Sequence, residues 1–196
     1  MSYFFTDRFV GVDRNKLQKR VGSKKLIFMK QVHGNEVKIV DNNTPLQECD
    51  AMITNDSTVA LCVVVADCIP VIFKDSIKNV VGVAHAGRAG SYSKIIKRTI
   101  SKMIENFGCN EDDIHIIFGP SIKKCCYEVG KEVIIGYEEF TCIKENKIYL
   151  DLIELNKRGL KNLEIDPTCT CCNNNYFSYR RNGTKDRFCG VISIDL

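Results

Sequence analysis

Residues 50–90 read DAMITNDSTVALCVVVADCIPVIFKDSIKNVVGVAHAGRAG. Two continuous apolar runs stand out, Ala60–Val65 and Val80–Ala84. Such runs have the pattern of strands buried on both faces. Each stops on unusual polar groups: Asp67-Cys68 after the first, His85 with Gly87-Arg88-Ala89-Gly90 after the second. Upstream, LIFMKQV (26–32) runs into His33-Gly34 in the same way. The chain has only three histidines, and two of them sit at these strand ends.

Working outward, Ile69–Phe73 reads as a strand that turns back through Lys74–Asn79, with Pro70 irregular at its start. Leu26–Val32 and Val37–Val40 flank the turn signal Gly34-Asn35, which predicts a bent strand or hairpin. Residues 41–48 read as loop. FFTDRFVG near the start predicts a short edge strand and a turn. A short helix after Asp13 would bury Leu17 and Val21.

Ser91–Phe107 carries apolar residues at helical period, with Ser91 or Ser93 as start cap and Gly108 as end. Lys94, Lys97, Arg98 and Lys102 on its other face read as solvated. Ile114–Phe118 is a strand, Val129–Phe140 a helix and Lys147–Leu150 a short strand. Asp151-Leu-Ile-Glu154 is a capping box opening a helix to about Leu163. Tyr176–Arg180 and Phe188–Ile194 read as the last strands, after a cysteine-rich loop at 166–175. Strands and helices alternate in the middle and strands dominate the ends. The expectation is one α+β domain over residues 1–196, a mixed sheet core with helices packed on it.

With 196 residues the chain is long enough for one substantial core. The net charge of +4 is spread along the chain, without the basic stripe of a nucleic-acid groove. No apolar run approaches a membrane span, and MSYFFTDRFVG is no signal peptide. Eleven cysteines without a secretory signal point to thiols in a reducing cytoplasm.

Two imidazoles and a thiolate suit zinc, which takes His nitrogen and Cys sulfur and keeps a fourth position open in catalytic sites. His33, Cys68 and His85 read as one such set. A satisfied histidine and a buried thiol fit the same residues. Asp67 can serve as acid, base or ligand-orienting group. Gly87 to Gly90, with Arg88, link a buried strand to a helix and can face an anion. Tyr179-Arg180-Arg181 is a basic and aromatic cluster, with surface charge as the plainer reading. His115 reads as a core or strand-face histidine. Cys169-Thr-Cys-Cys172 contains a CxxC without a second one to complete a structural zinc site. Cys125-Cys126 would have to join it in space, and the expectation is cysteine enrichment instead.

The motifs QVHGNEV, DAMITN, ADCIPV, GVAHAGRAG, GPSIKKCCYEVG, LDL followed by Asn156, and CT followed by FSYRR resemble, in the same order, the laccase-domain family. That family was first called a multicopper polyphenol oxidase. It is now associated with zinc-dependent purine nucleoside phosphorylase activity, and a peptidoglycan-editing factor belongs to it. The resemblance runs from about residue 26 to the end.

It implies a mixed α+β fold and metal ligation by His33, Cys68 and His85. It further implies a pocket for a purine nucleoside, with phosphorolysis of adenosine, inosine, guanosine and methylthioadenosine, and adenosine deamination. Arg88 matches the family's HAGR arginine, Asp67 its DC aspartate, and Arg8 the arginine of its amino-terminal FSTR. The family's longer amino-terminal region with Gly-Gly-Val-Ser is short here, which leaves Arg8 and base preference open.

A multicopper centre needs more imidazoles than three histidines supply. The leading expectation is therefore a cytoplasmic zinc-dependent phosphorylase, with Asp67, Cys68 and His85 catalytic. Arg88, Gly87, Gly90, Arg8 and Arg180 would contact substrate. The partners are a purine nucleoside and phosphate, with no nucleic acid and no membrane, in a monomer or weak homodimer. The alternatives are a cysteine-type hydrolase acting on peptidoglycan precursors, with Cys68 as nucleophile, and a non-catalytic metal-binding protein.

Overall fold

The computed structural model describes residues 1–195. The chain folds as one α+β unit around two sheets that lie face to face. The first sheet has the order β1 (Ser2–Phe5), β15 (Phe188–Ser193), β7 (Val59–Val65) and β2 (Lys25–Ile27). The second runs β14 (Leu163–Ile165), β10 (Ile114–Phe118), β8 (Ile69–Asp75), β9 (Val80–Ala86), β6 (Ala51–Thr54) and β4 (Val37–Ile39). Two small sheets complete the set: β11 (Glu128–Val129), β13 (Lys147–Leu150) and β12 (Thr141–Lys144) in one, and β3 (Met29–Lys30) beside β5 (Gln47–Glu48) in the other.

Strand alternation explains the layering, because successive side chains point to opposite faces. From β7, Leu61, Val63 and Val65 meet Val81 and Val83 of β9 and Ile72 of β8 between the sheets. The opposite face of β7 sends Ala60 and Cys62 to Leu17 and Val21 of helix α1 (Arg14–Val21). The opposite face of the second sheet, with Ile53, Phe73 and Ala84, is covered by Ile95, Ile96, Ile100 and Met103 of helix α3 (Ile95–Phe107). Both sheets are thus buried on two faces, which is why β7 and β9 are continuous apolar runs.

The structure revises several local expectations. Residues 26–40 form no hairpin. β2 pairs in parallel with β7 in the first sheet, and β4 pairs in parallel with β6 in the second. Each short strand completes an edge of a different layer, so the chain crosses over between them. The helix expected at 91–107 is broken. Helix α2 (Arg88–Tyr92) ends at Ser93, and Lys94 takes a left-handed φ of 59° before α3. Neither serine caps α3; the Ser91 hydroxyl donates to Gly87 O instead.

The helix expected over 129–140 is two 3₁₀ turns, Lys131–Val133 and Glu138–Phe140. Gly136 separates them at φ 81°, a conformation outside any helix. Asp151 does cap helix α4 (Leu152–Lys157), accepting from Glu154 N at 3.0 Å. That helix stops short of Leu163, because Gly159 turns left-handed at φ 76° and Leu163 starts a strand. Residues 176–180 are no strand: Ser178 caps helix α5 (Tyr179–Asn182) through Arg181 N.

Leu61 is fully buried between the sheets, whereas Ile77 is 69% exposed in the β8–β9 turn. Leu61→Ala is expected to cost about 2–5 kcal/mol in urea unfolding. Ile77→Ala is expected to stay within about 0.5 kcal/mol of the parent.

Candidate metal centre

A cavity of about 600 Å³ opens at one end of the inter-sheet core. Its lining includes Val64 and Val65 at the end of β7, Cys68 just before β8 and His85 near the end of β9. His85 is two residues beyond Val83 on the same face of β9. The alternation that buries Val81 and Val83 between the sheets therefore carries the imidazole to the mouth of that layer.

Strand register brings the rest. β8 and β9 are antiparallel, with Ile69 opposite Ala86 and Pro70 opposite His85. Continuing that register sets Cys68 opposite Gly87. A Cβ at Gly87 would lie 3.0 Å from Cys68 Sγ and 3.5 Å from His85 Nε2, so this position has no room for a side chain. At Gly90 a Cβ would lie 2.9 Å from Gly34 O, which explains the second glycine.

β6 flanks β9 on its other side, with Ala51 opposite Ala84. That places Asp50 opposite His85, where His85 N donates to Asp50 O at 2.8 Å. The Asp50 carboxylate lies 2.8 Å from His85 Nδ1. It also accepts from the backbone N–H groups of Val32, His33 and Gly34 at 3.2, 3.0 and 2.7 Å. This holds the loop carrying His33, whose φ of 61° is left-handed.

The rings of His33 and His85 meet edge to face at 4.8 Å. One ligand atom each from His33, Cys68 and His85 lies within 4.8 Å of the others. The three groups selected from separate strand ends do converge, although β7 and β9 belong to different sheets.

Electrostatics match a cation-binding role. Burial alone would lower the His85 pKa, but hydrogen bonds from its ring to the Asp50 carboxylate and Cys68, and their charge, push it up to about 9. Asp50 is desolvated too, yet the His85 and backbone hydrogen bonds hold its carboxyl below the usual range. His33 is lowered by burial and by the neighbouring His85. A cation held among these groups would take the place of the His85 proton. The donor set fits a single metal ion: two imidazoles, one thiol, Nδ1 of His85 already held by a carboxylate, and Gly87 leaving space beside the sulfur. A carboxylate behind a metal-bound histidine orients the ring and raises its basicity.

Asp67 lies in the turn that crosses from the first sheet to the second, at φ 96°. Its Oδ1 accepts from the Thr170 hydroxyl and its Oδ2 from Arg180 N, both at 2.7 Å. Asp67 O accepts from Ile122 N. The residue thus ties three segments around the cavity it lines. Arg180 lines the cavity as well, with its guanidinium 5.3 Å from the centre of the Tyr127 ring.

Arg88 is exposed on α2 and does not line the cavity. Arg8 lies outside it too, donating to Asn174 O and resting on the Phe177 ring. His115 is remote on β10, with Nε2 3.8 Å from Glu164. Sequence reasoning missed Asp50, Gln31, Tyr127 and Arg187. Asp50 stands as the polar residue immediately before a buried strand, and Gln31 and Tyr127 lie inside the quoted motifs QVHGNEV and GPSIKKCCYEVG.

The family model described as multi-copper polyphenol oxidoreductase laccase matches residues 6–195. The chain belongs to this family. A Corynebacterium glutamicum protein named purine nucleoside phosphorylase is 32% identical over 199 residues, covering 93% of this chain and 80% of that protein. An Aquifex aeolicus protein of the same name is 35% identical over 185 residues, covering 91% and 87%. The crystal structure of the Bacillus licheniformis hypothetical protein YfiH superposes with a TM-score of 0.85 at 28% identity, covering 93% of this chain and 79% of that one. YlmD from Geobacillus stearothermophilus gives the same TM-score at 26% identity, with the same coverage.

Asp50→Asn keeps the shape but removes the charge behind His85. Metal affinity, measured by competition with a chelator, is expected to fall about 10- to 100-fold. Gly87→Ala drives a methyl against Cys68 Sγ and is expected to weaken binding in the same assay.

Proposed function

We propose that the chain is a zinc-dependent purine nucleoside phosphorylase, with His33, Cys68 and His85 as the metal ligands. The observation that carries this reading is the convergence of those three groups in a cavity sized for a small ligand. Two relatives bearing the phosphorylase name support it. Thiolate and imidazole donors favour zinc, and a three-ligand set leaves a position for substrate. The copper in the family's description would need imidazoles this chain lacks. Bound there, zinc supplies Lewis acidity at an open coordination position.

The protein's own groups divide the work. Val64, Val65, Ile122 and Leu152 give the cavity an apolar wall, and Tyr127 and Tyr179 add flat rings suited to a purine. Arg180 and Arg187 bring positive charge to the same cavity, which suits phosphate.

In phosphorolysis a phosphate oxygen forms a bond to ribose C1′. The C1′–N9 bond breaks, and its electron pair leaves with the base, which takes up a proton. Arg180 and Arg187 orient the phosphate for that attack. Asp67, with both carboxylate oxygens occupied, positions Cys68 and the Arg180 backbone. Adenosine deamination is a second reaction we assign to this pocket. The eleven cysteines, all free thiols, fit a cytoplasmic location.

The test is incubation of the zinc-loaded protein with adenosine, inosine, guanosine and methylthioadenosine, with and without phosphate. Chromatography should show free base and ribose 1-phosphate only when phosphate is present. His85→Ala should lower the rate at least about 100-fold, as expected when a catalytic metal ligand is lost. No base released over many hours would sink the phosphorylase. Equal release without phosphate would make the protein a hydrolase. Full activity in metal-free protein, abolished by alkylating Cys68, would favour the thiol nucleophile.

A further inference from the structure

The cysteine-rich loop carries a second cluster, remote in sequence from the first. Four thiols meet there: Cys125 and Cys126 from the segment after β10, and Cys169 and Cys172 from the loop before α5. Against the sequence expectation, the isolated CxxC does find partners. Cys125 Sγ lies 3.7 Å from Cys126 Sγ and 3.8 Å from Cys172 Sγ. Cys126 Sγ lies 3.2 Å from Cys172 Sγ, and all four sulfurs fall within 4.8 Å of one another. A zinc–sulfur bond of about 2.3 Å in a tetrahedron sets sulfurs about 3.8 Å apart. The cluster therefore has the dimensions of a single tetrahedral ion with four thiolate ligands.

The surroundings fit that use. The two segments dock through backbone bonds that do not involve the sulfurs, including Thr170 N to Ser121 O at 3.1 Å. The thiol set is thus presented by a frame built without it. The N–H groups of Lys123, Cys171 and Cys172 and the Cys125 thiol face the Cys169 sulfur. Donors aimed at a ligating sulfur are what a metal site needs around it.

Positive charge stands close by. Lys123 Nζ is held by Asp166 O and Ser121 Oγ, in the field of Cys169 and Cys125. The Arg181 guanidinium donates to Thr170 O, Cys171 O, Asn173 O and Tyr176 O. A tetrathiolate around a divalent ion carries two net negative charges, and these two cations offset them.

We infer that Cys125, Cys126, Cys169 and Cys172 form a second, structural zinc site that staples the 119–127 segment to the 166–175 loop. Four thiols lose their protons and form four zinc–sulfur bonds, with no change of oxidation state. The staple sits directly behind the cavity. Cys126 precedes Tyr127, and Thr170, between two of the ligands, donates to Asp67. The site would thus fix a wall of the first centre without touching substrate. It stands or falls independently of the nucleoside reading.

The test uses purified full-length protein handled under reducing conditions. Elemental analysis of the wild type should give about two zinc ions per chain. The His33→Ala/His85→Ala variant should retain about one, and Cys169→Ser/Cys172→Ser should lose the other. Cobalt substitution of the histidine variant should give the strong visible bands and sulfur-to-metal charge transfer of a tetrahedral thiolate site.

The wild type alone provides a second arm should a variant not fold. Alkylation mapped by mass spectrometry should spare these four cysteines until a strong chelator is added, then label them at least about tenfold faster. Three results would overturn the inference: a histidine variant that folds without bound metal, labelling that chelation does not change, or a Cys126–Cys172 disulfide in the protein as purified under reducing conditions.

Discussion

The buried Asp50 carboxylate takes backbone hydrogen bonds from Val32, His33 and Gly34 and meets the Nδ1 of His85. A carboxylate with no solvent exposure is tolerated only when such partners replace its water. Here the partners are the loop that carries one proposed metal ligand and the ring of another. Removing the carboxylate would free the His33 loop and leave the His85 ring without its orienting acceptor. The convergence of His33 with Cys68 and His85 thus depends on one side chain that need not touch the ligand itself.

The sheets prepare that interaction. Antiparallel pairing of β8 with β9 aligns Cys68 with Gly87, and pairing of β6 with β9 aligns Asp50 with His85. A register slip of one residue would turn each of these side chains to the opposite face. Val81, Val83 and Ile72 prevent the slip, because they must stay between the sheets. Hydrophobic packing therefore sets the position of polar chemistry at the end of the same strands. The cavity walls beyond the layered core come from the loop at 119–127, from the starts of the short helices α4 and α5, and from Arg187.

Those walls need fastening of their own. Asp67 ties its sheet-crossing turn to Thr170 and Arg180, and Arg181 gathers four carbonyls of the cysteine loop. The bond from Arg180 N to Asp67 holds Arg180 at the cavity, where its guanidinium lies 5.3 Å from the centre of the Tyr127 ring. A zinc ion among the four thiols would add a covalent-strength clamp where hydrophobic contacts are few, as structural zinc does in segments lacking a core.

Much of this was legible in the amino-acid order. The runs at 60–65 and 80–84 show as buried strands because both faces of both sheets are covered, and 69–73 shows as a strand beside them. Leu17 and Val21 show as the inner stripe of a helix by spacing alone, and the strand-end histidines and Cys68 show as a candidate metal set. The misreadings have local causes. Glycines at 130 and 136 break an apparent helix over 129–140, and the periodicity of 91–107 hides the left-handed Lys94.

Asp50 did not declare its role, since a single carboxylate before a strand is ordinary until its partners are known. Cys125-Cys126 could be named as partners for the CxxC, but nothing in the spacing says that they meet Cys169 and Cys172 across more than forty residues. The sequence by itself determined the long buried strands, the inner stripe of the first helix and which residue types could hold a metal, because those follow from local spacing and side-chain chemistry. Only the tertiary structure decided which strand ends share a register, which carboxylate stands behind His85 and which thiols meet. Those are distances between remote segments, and they are set by how two sheets pack rather than by neighbours along the chain.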